Sequence, residues 1–283
     1  MLGCSPLPRC TDLVVDCHTH PAFESELLRS YATNGKVVFS LQGLLNEMKA
    51  AKVRAAATFA SYVPEFVLTN EELIEIVKGH QNLIPIGSFD PNKPNLLRLE
   101  EQLSKGQLRG LKMYPGYWNY YPSEKRFEGV FELCQKFGVP LFIHTGDTLV
   151  SRGKIKYSRP IHIDELAVDR PDLVLVMCHL GLPWIEEGAE VAYKNENVMV
   201  DLSGLYIEHG APYRSTYLRK ISEKVAFAIS YIGNVEGKVL FGSDWPLASM
   251  QGVIRFVKGL PISSEDKLLI LEENSMNLFG LKD

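Results

Sequence analysis

Short apolar runs alternate with longer amphipathic stretches along the chain. The runs span residues 13–17, 54–60, 83–89, 108–113, 140–143, 173–178, 198–202 and 239–242. Each is rich in Val, Ile, Leu or Phe and only a few residues long, as a strand buried on both faces should be. Between the runs the spacing turns helical. Residues 41–51 place Leu41, Leu44, Leu45 and Met48 on one stripe, and residues 123–137 do the same with Phe127, Val130, Phe131 and Cys134. Ser123 is the expected N-cap of the second of these helices.

Successive strand starts are about 25 to 41 residues apart, the length of a βα unit. Eight such units fill the chain, the number that closes a (β/α)8 TIM barrel in the α/β class. A doubly wound open sheet ranks lower, because no Gly-rich phosphate turn follows the first strand. Residues 263–281 form a final helical segment expected to pack under the barrel. The expected organisation is a leader over residues 1–12 and a single barrel domain over 13–283.

Composition leaves this picture in place and removes several function classes. The 283 residues are 46% hydrophobic and 23% charged, with 22 Gly and 16 Pro, which excludes disordered, collagenous and coiled-coil chains. Length alone would allow two domains, but α/β barrels reach this size as one. The net charge of −4 arises from 30 basic and 34 acidic residues without a basic block, so nucleic acid is not the expected partner. No apolar stretch approaches the roughly 18 residues of a membrane span. Leu2-Gly3-Cys4 lacks the charged region and apolar core that precede a lipoprotein cleavage site, so no export signal is read there. Five cysteines, with Cys4 and Cys10 in the Pro-rich leader, fit a reducing cytoplasm better than a disulfide scaffold.

The chemistry gathers at the ends of the runs, where a barrel carries its functional groups. The first run ends in Asp16-Cys17-His18-Thr19-His20, the fifth in His144-Thr145-Gly146-Asp147, the sixth in Cys178-His179-Leu180-Gly181, and the eighth in Ser243-Asp244-Trp245-Pro246. Side chains two apart on a strand share a face, so His18 and His20 can converge on one metal. A lone histidine after an apolar run is more often a structural residue. Four of the seven histidines and an aspartate at four strand ends are far harder to explain that way. Nitrogen and oxygen donors without thiolate suit Zn, Mn or Fe. By strand alternation, Cys17 and Cys178 are expected to face the helices.

These residues resemble the amidohydrolase superfamily, and within it the amidohydrolase-related (amidohydrolase 2) branch that includes aminocarboxymuconate semialdehyde decarboxylase, related aromatic-acid decarboxylases and hydrolases. The motifs that carry the resemblance are the opening D-x-H-x-H, the His-Thr-Gly and His-Leu-Gly turns, Ser-Asp-Trp-Pro, and the closing Asn274-Ser275-Met276-Asn277-Leu278-Phe279. It covers nearly the whole chain. The resemblance implies that His18, His20, His144 and Asp244 bind one divalent metal ion, zinc first with manganese or iron as alternatives. It also implies that His179 is a catalytic acid/base or a polariser of the substrate. Asp244 has a second candidate role as proton acceptor.

Lys112, at the fourth strand end, has two readings. In other branches a carboxylated lysine bridges two metals there; the preferred reading is a charged, unmodified Lys112 that holds a substrate carboxylate. Tyr114 and Trp118, in the aromatic loop 114–122, are the other candidate substrate contacts, with packing over the barrel mouth the alternative. Arg152, Lys154, Lys156 and Arg159 read mainly as solvated loop charges. Asp201 and Ser203 are candidates for supporting hydrogen bonds. His80, His162 and His209 are assigned no metal.

The leading expectation is a metal-dependent hydrolase of an amide, ester or lactone of a small organic acid. The runner-up is a non-oxidative decarboxylase of an aromatic or unsaturated acid, and a third class is an inactive barrel that retains binding. TatD-like nucleases and histidinol-phosphatase-like phosphoesterases share His-x-His, but the first needs an acidic residue where Lys112 stands and the second a longer ligand list. The expected partner is a small molecule, with neither nucleic acid nor membrane; a homo-oligomer is compatible with the composition.

Overall fold

Every apolar run becomes a strand. In the computed structural model, which describes residues 13–206, 208 and 214–282, eight strands follow one another around a single sheet. They are β1 Val14–Thr19, β2 Val53–Phe59, β3 Leu83–Ser88, β4 Leu111–Met113, β5 Leu141–Ile143, β6 Leu175–Met177, β7 Val198–Asp201 and β8 Val239–Leu240. All neighbours pair in parallel. The ring joins β8 to β1 through backbone bonds from Cys17 N–H to Phe241 O at 2.9 Å and from Asp244 N–H to His18 O at 2.9 Å. The result is a nearly closed TIM barrel. The leader 1–12, with Cys4 and Cys10, and His209 lie outside the described residues.

Two shells of apolar side chains hold the barrel together. Val15, Phe59, Ile86, Phe142, Val176 and Leu240 fill its interior. A larger shell, including Leu44, Met48, Phe127, Val130 and Phe131, packs the helices onto the outside. Leu41–Ala51 is a helix, as its periodicity predicts, and Ser40 caps it by accepting from Gly43 N–H at 2.9 Å. The 123–137 stretch differs from expectation. It divides into a short tight turn Lys125–Phe127 and a helix Glu128–Phe137. Glu124 is extended, which carries Ser123 away from the helix amides, and its hydroxyl donates to Glu165 instead at 2.6 Å.

The tail packs under the barrel as expected. Ser264–Leu268 and Asn274–Phe279 flank a wide helical turn over Leu269–Glu273. Asn274 donates to the carbonyls of Val235 and Val239, both at 2.8 Å, and the Phe279 ring stacks on Phe142 at 6.4 Å between centroids. Among the described residues no helix is long and apolar enough to cross a membrane.

The two strand-end cysteines are corrected: Cys17 and Cys178 belong to the interior cluster rather than facing the helices. Alternation itself puts them there: Val15 with Cys17 and Val176 with Cys178 share the interior cluster, while Val14, Leu175 and Met177 pack outward. The histidines leave the pattern, His18 where the β1–β2 register shifts between Asp16 and Thr19. After Cys178 the backbone enters the left-handed region, with φ of 64° at His179 and 45° at Leu180, so neighbouring side chains no longer point to opposite faces.

Candidate active site

The C-terminal strand ends surround a cavity of about 160 Å³. His20, Lys112, His144, His179 and Asp244 give it a polar lining, while Phe66, Tyr114 and Tyr117 are among its apolar walls. His18 lies directly behind this lining and is fully buried.

His18 is oriented by a carboxylate. Its Nδ1 donates to Asp201 Oδ2 at 2.7 Å, which leaves Nε2 as the unprotonated nitrogen of the neutral ring. That nitrogen lies 3.6 Å from Asp244 Oδ1, and His20 Nε2 lies 3.4 Å from the same oxygen. One ligand atom from each of His18, His20 and Asp244 thus falls within 4.8 Å of the others. Lys112 Nζ donates to His18 Nε2 at 2.8 Å and stands 4.2 Å from the centre of the Phe59 ring. The other predicted ligand, His144, is turned to a different neighbour: its Nδ1 lies 3.1 Å from His179 Nε2, and its Nε2 donates to Asp147 O at 2.7 Å.

Ser203 ties these halves together. Its Oγ lies 2.8 Å from His179 Nδ1 and 2.9 Å from His18 Nδ1, and it donates to Asp201 Oδ1. The same Asp201 oxygen accepts from the amides of Ser203 at 3.0 Å and His179 at 2.9 Å. Gly204 must be a glycine here. Its φ is +68°, and an added Cβ would stand 2.9 Å from His179 Nδ1.

Burial sets the charge of each group, and neighbours modify it. Desolvation lowers the His18, His20 and His144 pKa values below the ordinary imidazole range, with the Lys112 charge adding to the effect. Burial likewise lowers His179 to about 4. For Asp244, burial opposes the charge, but the His20 hydrogen bond and the fields of the three nearby histidines outweigh it and hold the carboxyl well below its usual range. Asp201 is held low in the same way against burial, mainly by His18. The set is therefore three neutral imidazoles and an anionic carboxylate. Neutral nitrogen and anionic oxygen donors with no thiolate in the trio suit a divalent cation of intermediate hardness, so the residues fit the ion their pattern predicts.

Of the predicted substrate contacts, Lys112 and Tyr114 line the cavity and Trp118 does not. Trp118 lies outside it, under the Arg152 guanidinium at 5.9 Å. Arg152 and Arg159 are engaged by Glu65 and Glu187. His162 Nε2 donates to Lys156 O at 2.7 Å and is not among the cavity-lining residues; His80 caps the preceding helix through its amide, which donates to Val77 O at 2.9 Å. Asp16 is the residue whose role sequence reasoning missed. One of its oxygens accepts from the amides of His18 at 3.1 Å and Ser243 at 3.0 Å, and so straps β1 to the turn that carries Asp244. Its place at the head of D-x-H-x-H was the available signal.

The sequence family described as Amidohydrolase matches residues 15–281. Solved structures that share the fold include three in which a metal ion or a small acid is bound. A dihydroxybenzoic acid decarboxylase from Polaromonas sp. JS666, with bound manganese and the inhibitor 2-nitroresorcinol, is 16% identical with a TM-score of 0.69, covering 96% of this chain and 98% of its own. An amidohydrolase from Burkholderia multivorans with bound zinc is 18% identical with a TM-score of 0.71, covering 95% and 100%. A probable 2-pyrone-4,6-dicarboxylic acid hydrolase from Acinetobacter baumannii, with citric acid bound, is 15% identical with a TM-score of 0.67, covering 95% and 99%. Among curated proteins, human (Homo sapiens) UDP-glucuronosyltransferase 2B28 is 26% identical over 147 residues, 49% of this chain. The chain matches only 24% of that relative's length.

Proposed function

Because the chain belongs to the amidohydrolase family, we propose that it is a metal-dependent hydrolase of an amide, ester or lactone of a small organic acid. The observation that carries this reading is the convergence of His18, His20 and Asp244 within 4.8 Å beside a cavity of single-ring size. His18, His20 and Asp244, joined by His144, would hold one divalent ion, zinc by preference and manganese as the alternative. When bound, such an ion supplies Lewis acidity to an oxygen of the substrate.

The remaining chemistry falls to the chain. Asp244, held anionic, and His179, whose Nδ1 stands 4.0 Å from Asp244 Oδ2, take the proton of water as it adds to the substrate carbonyl, then return it to the leaving group. Lys112 offers a buried cation to a carboxylate or developing oxyanion. Phe66, Tyr114 and Tyr117 shield the site from solvent and favour a flat substrate.

Those aromatic walls, set beside a buried cation, specifically favour a second reading: decarboxylation of an aromatic or unsaturated acid, the reaction named for the Polaromonas structure. A panel of lactones, esters, amides and aromatic acids, offered to zinc- and manganese-loaded protein with the products identified, separates the two. Hydrolysis yields a new carboxylate from water addition; decarboxylation yields CO2. Ligand binding without turnover across the panel would point to an inactive barrel instead.

A further inference from the structure

The helices Ile185–Lys194 and Arg214–Ile232 pack side by side on the outside of the barrel. Each already buries one apolar face, with Ile185 and Ala189 on the first and Val225 and Ala228 on the second. The solvent side nevertheless carries three aromatic rings in mutual contact. Tyr193 is 60% exposed, Phe227 55% and Tyr231 44%. The Tyr231 ring lies 5.4 Å from Tyr193 and 6.0 Å from Phe227 between centroids. Rings grouped in this way form an apolar patch that the fold itself does not need, and such patches mark contact surfaces. Beside them the two helices carry opposite charge. Glu186 and Glu190 share a stripe with Tyr193, while Lys220 and Lys224 share one with Phe227 and Tyr231, Glu223 being the acid among them. Lys224 Nζ donates to Glu186 Oε1 at 2.9 Å, and the Tyr231 hydroxyl donates to Glu190 Oε2 at 2.7 Å. These contacts climb both helices in the same order. The helices therefore run parallel, with acid level with base and ring level with ring.

We propose that this face binds a second copy of the chain, about a two-fold axis that runs along the two helices and between them. Rotation about such an axis keeps the helix direction and exchanges the sides. The acidic helix of one protomer then lies over the basic helix of its partner at the same level. Glu186 and Glu190 meet the partner's Lys220 and Lys224, and Tyr193 meets the partner's Phe227 and Tyr231. An axis across the helices would instead set each helix on its own copy, acid against acid, which repels. A two-fold interface requires a surface complementary to itself, and a surface split into an acidic and a basic half answers that better than a partner of one charge would. A fully buried ring removes about 150–250 Å² from water. At the exposures above, six rings withdraw roughly 500–800 Å² over the two copies. The charged stripes around them supply the remainder of the about 1,200 Å² that a small stable interface buries. The helices run along the barrel wall, so both cavities stay open.

Sedimentation velocity of the full chain at tens of micromolar should show a particle of twice the chain mass. Phe227→Asp, at an exposed position and with its fold checked by circular dichroism, should raise the dimer dissociation constant at least about thirtyfold, the effect of losing a residue central to an interface. Charge reversal tests the pairing itself. Glu186→Lys/Glu190→Lys gives a chain with two basic helices, and Lys220→Glu/Lys224→Glu one with two acidic helices. Each should be monomeric alone, because its acidic or basic helices now face their own kind. Mixed in equal amounts, they should form a heterodimer, which native mass spectrometry identifies by its mass. Such rescue arises only from contacts between chains, so a structural role within one chain would not produce it. A wild-type chain that stays monomeric would overturn the proposal and leave the rings to a different partner. A dimer that survives Phe227→Asp unchanged, or a mixture of the two charge variants that stays monomeric, would overturn it equally.

Discussion

Asp201 Oδ2 accepts from His18 Nδ1 at 2.7 Å although the two residues are 183 positions apart, and both side chains are completely buried. This contact decides which His18 nitrogen faces the candidate metal centre. Asp201→Asn keeps the shape and removes the charge that fixes the ring. Divalent-ion affinity should fall about 10- to 100-fold, as is usual when such a partner is lost. Competition with a chelating dye measures it; an unchanged affinity would make the contact structural only.

Gly204→Ala should damage the site more than the fold. The left-handed backbone costs an alanine about 1–2 kcal/mol, and its Cβ would press on His179 Nδ1 at 2.9 Å and lie 3.3 Å from Asp244 Oδ2. The expected result is a modest fall in melting temperature with turnover lowered at least about a hundredfold, at the low end of what a displaced acid/base group costs. Full activity in a folded Gly204→Ala variant would show that His179 has room to move.

Much of the fold was legible because a parallel barrel needs strands buried on both faces, and such strands announce themselves as uninterrupted apolar runs. All eight were placed, although β4 begins at Leu111 rather than Leu108, whose amide is used in closing the turn after helix Leu96–Ser104, on Gln102 O at 3.4 Å. Strand ends also pointed to the polar residues that meet at the mouth. Side-chain direction was less legible. Cys17 and Cys178 keep the interior face that Val15 and Val176 set by alternation, and it is a register shift in β1 and left-handed backbone at His179 and Leu180 that let the neighbouring histidines reach the mouth as well. The partnership of Asp201 and Ser203 with His18 and His179 depends on β7 meeting β1 and β6 in space, which local pattern does not encode. Asp16 stood out only by its place at the head of D-x-H-x-H, which does not say that its carboxylate ties down two backbone amides, one of them 227 positions away.

Lys112→Met separates the two readings of that residue. A cationic Lys112 contributes to binding or turnover but not to holding the ion, so metal content should stay at about one equivalent. Loss of a buried charged hydrogen bond costs about 1.5–3 kcal/mol, so kcat/KM should fall roughly ten- to a hundredfold. A drop from two bound equivalents to one or none would instead mark a carboxylated, bridging lysine.

Away from the cavity, Glu47 gives a pH-dependent prediction. Its Oε1 accepts from Met250 N–H at 3.0 Å, and burial raises its carboxyl pKa above the ordinary value. A carboxyl raised on folding favours the protonated native state. Its stabilising contribution is complete below the unfolded pKa and is lost as pH rises through the folded one. Glu47→Gln keeps an acceptor and carries no charge. Relative to wild type, its melting temperature should therefore rise steadily from about pH 4 to pH 7, given an unfolded glutamate pKa near 4.3. A difference that does not vary with pH would place Glu47 in an ordinary environment.

The account stands on His18, His20 and Asp244 as the core of one metal centre. Elemental analysis of zinc-loaded, desalted protein tests this most directly, alongside the His20→Ala/Asp244→Ala double variant, with circular dichroism confirming that both are folded. The prediction is about one equivalent per wild-type chain, as a single catalytic site holds, and almost none in the folded double variant. Wild-type protein that retains no divalent ion under any loading condition, or a double variant that keeps the full equivalent, would contradict it.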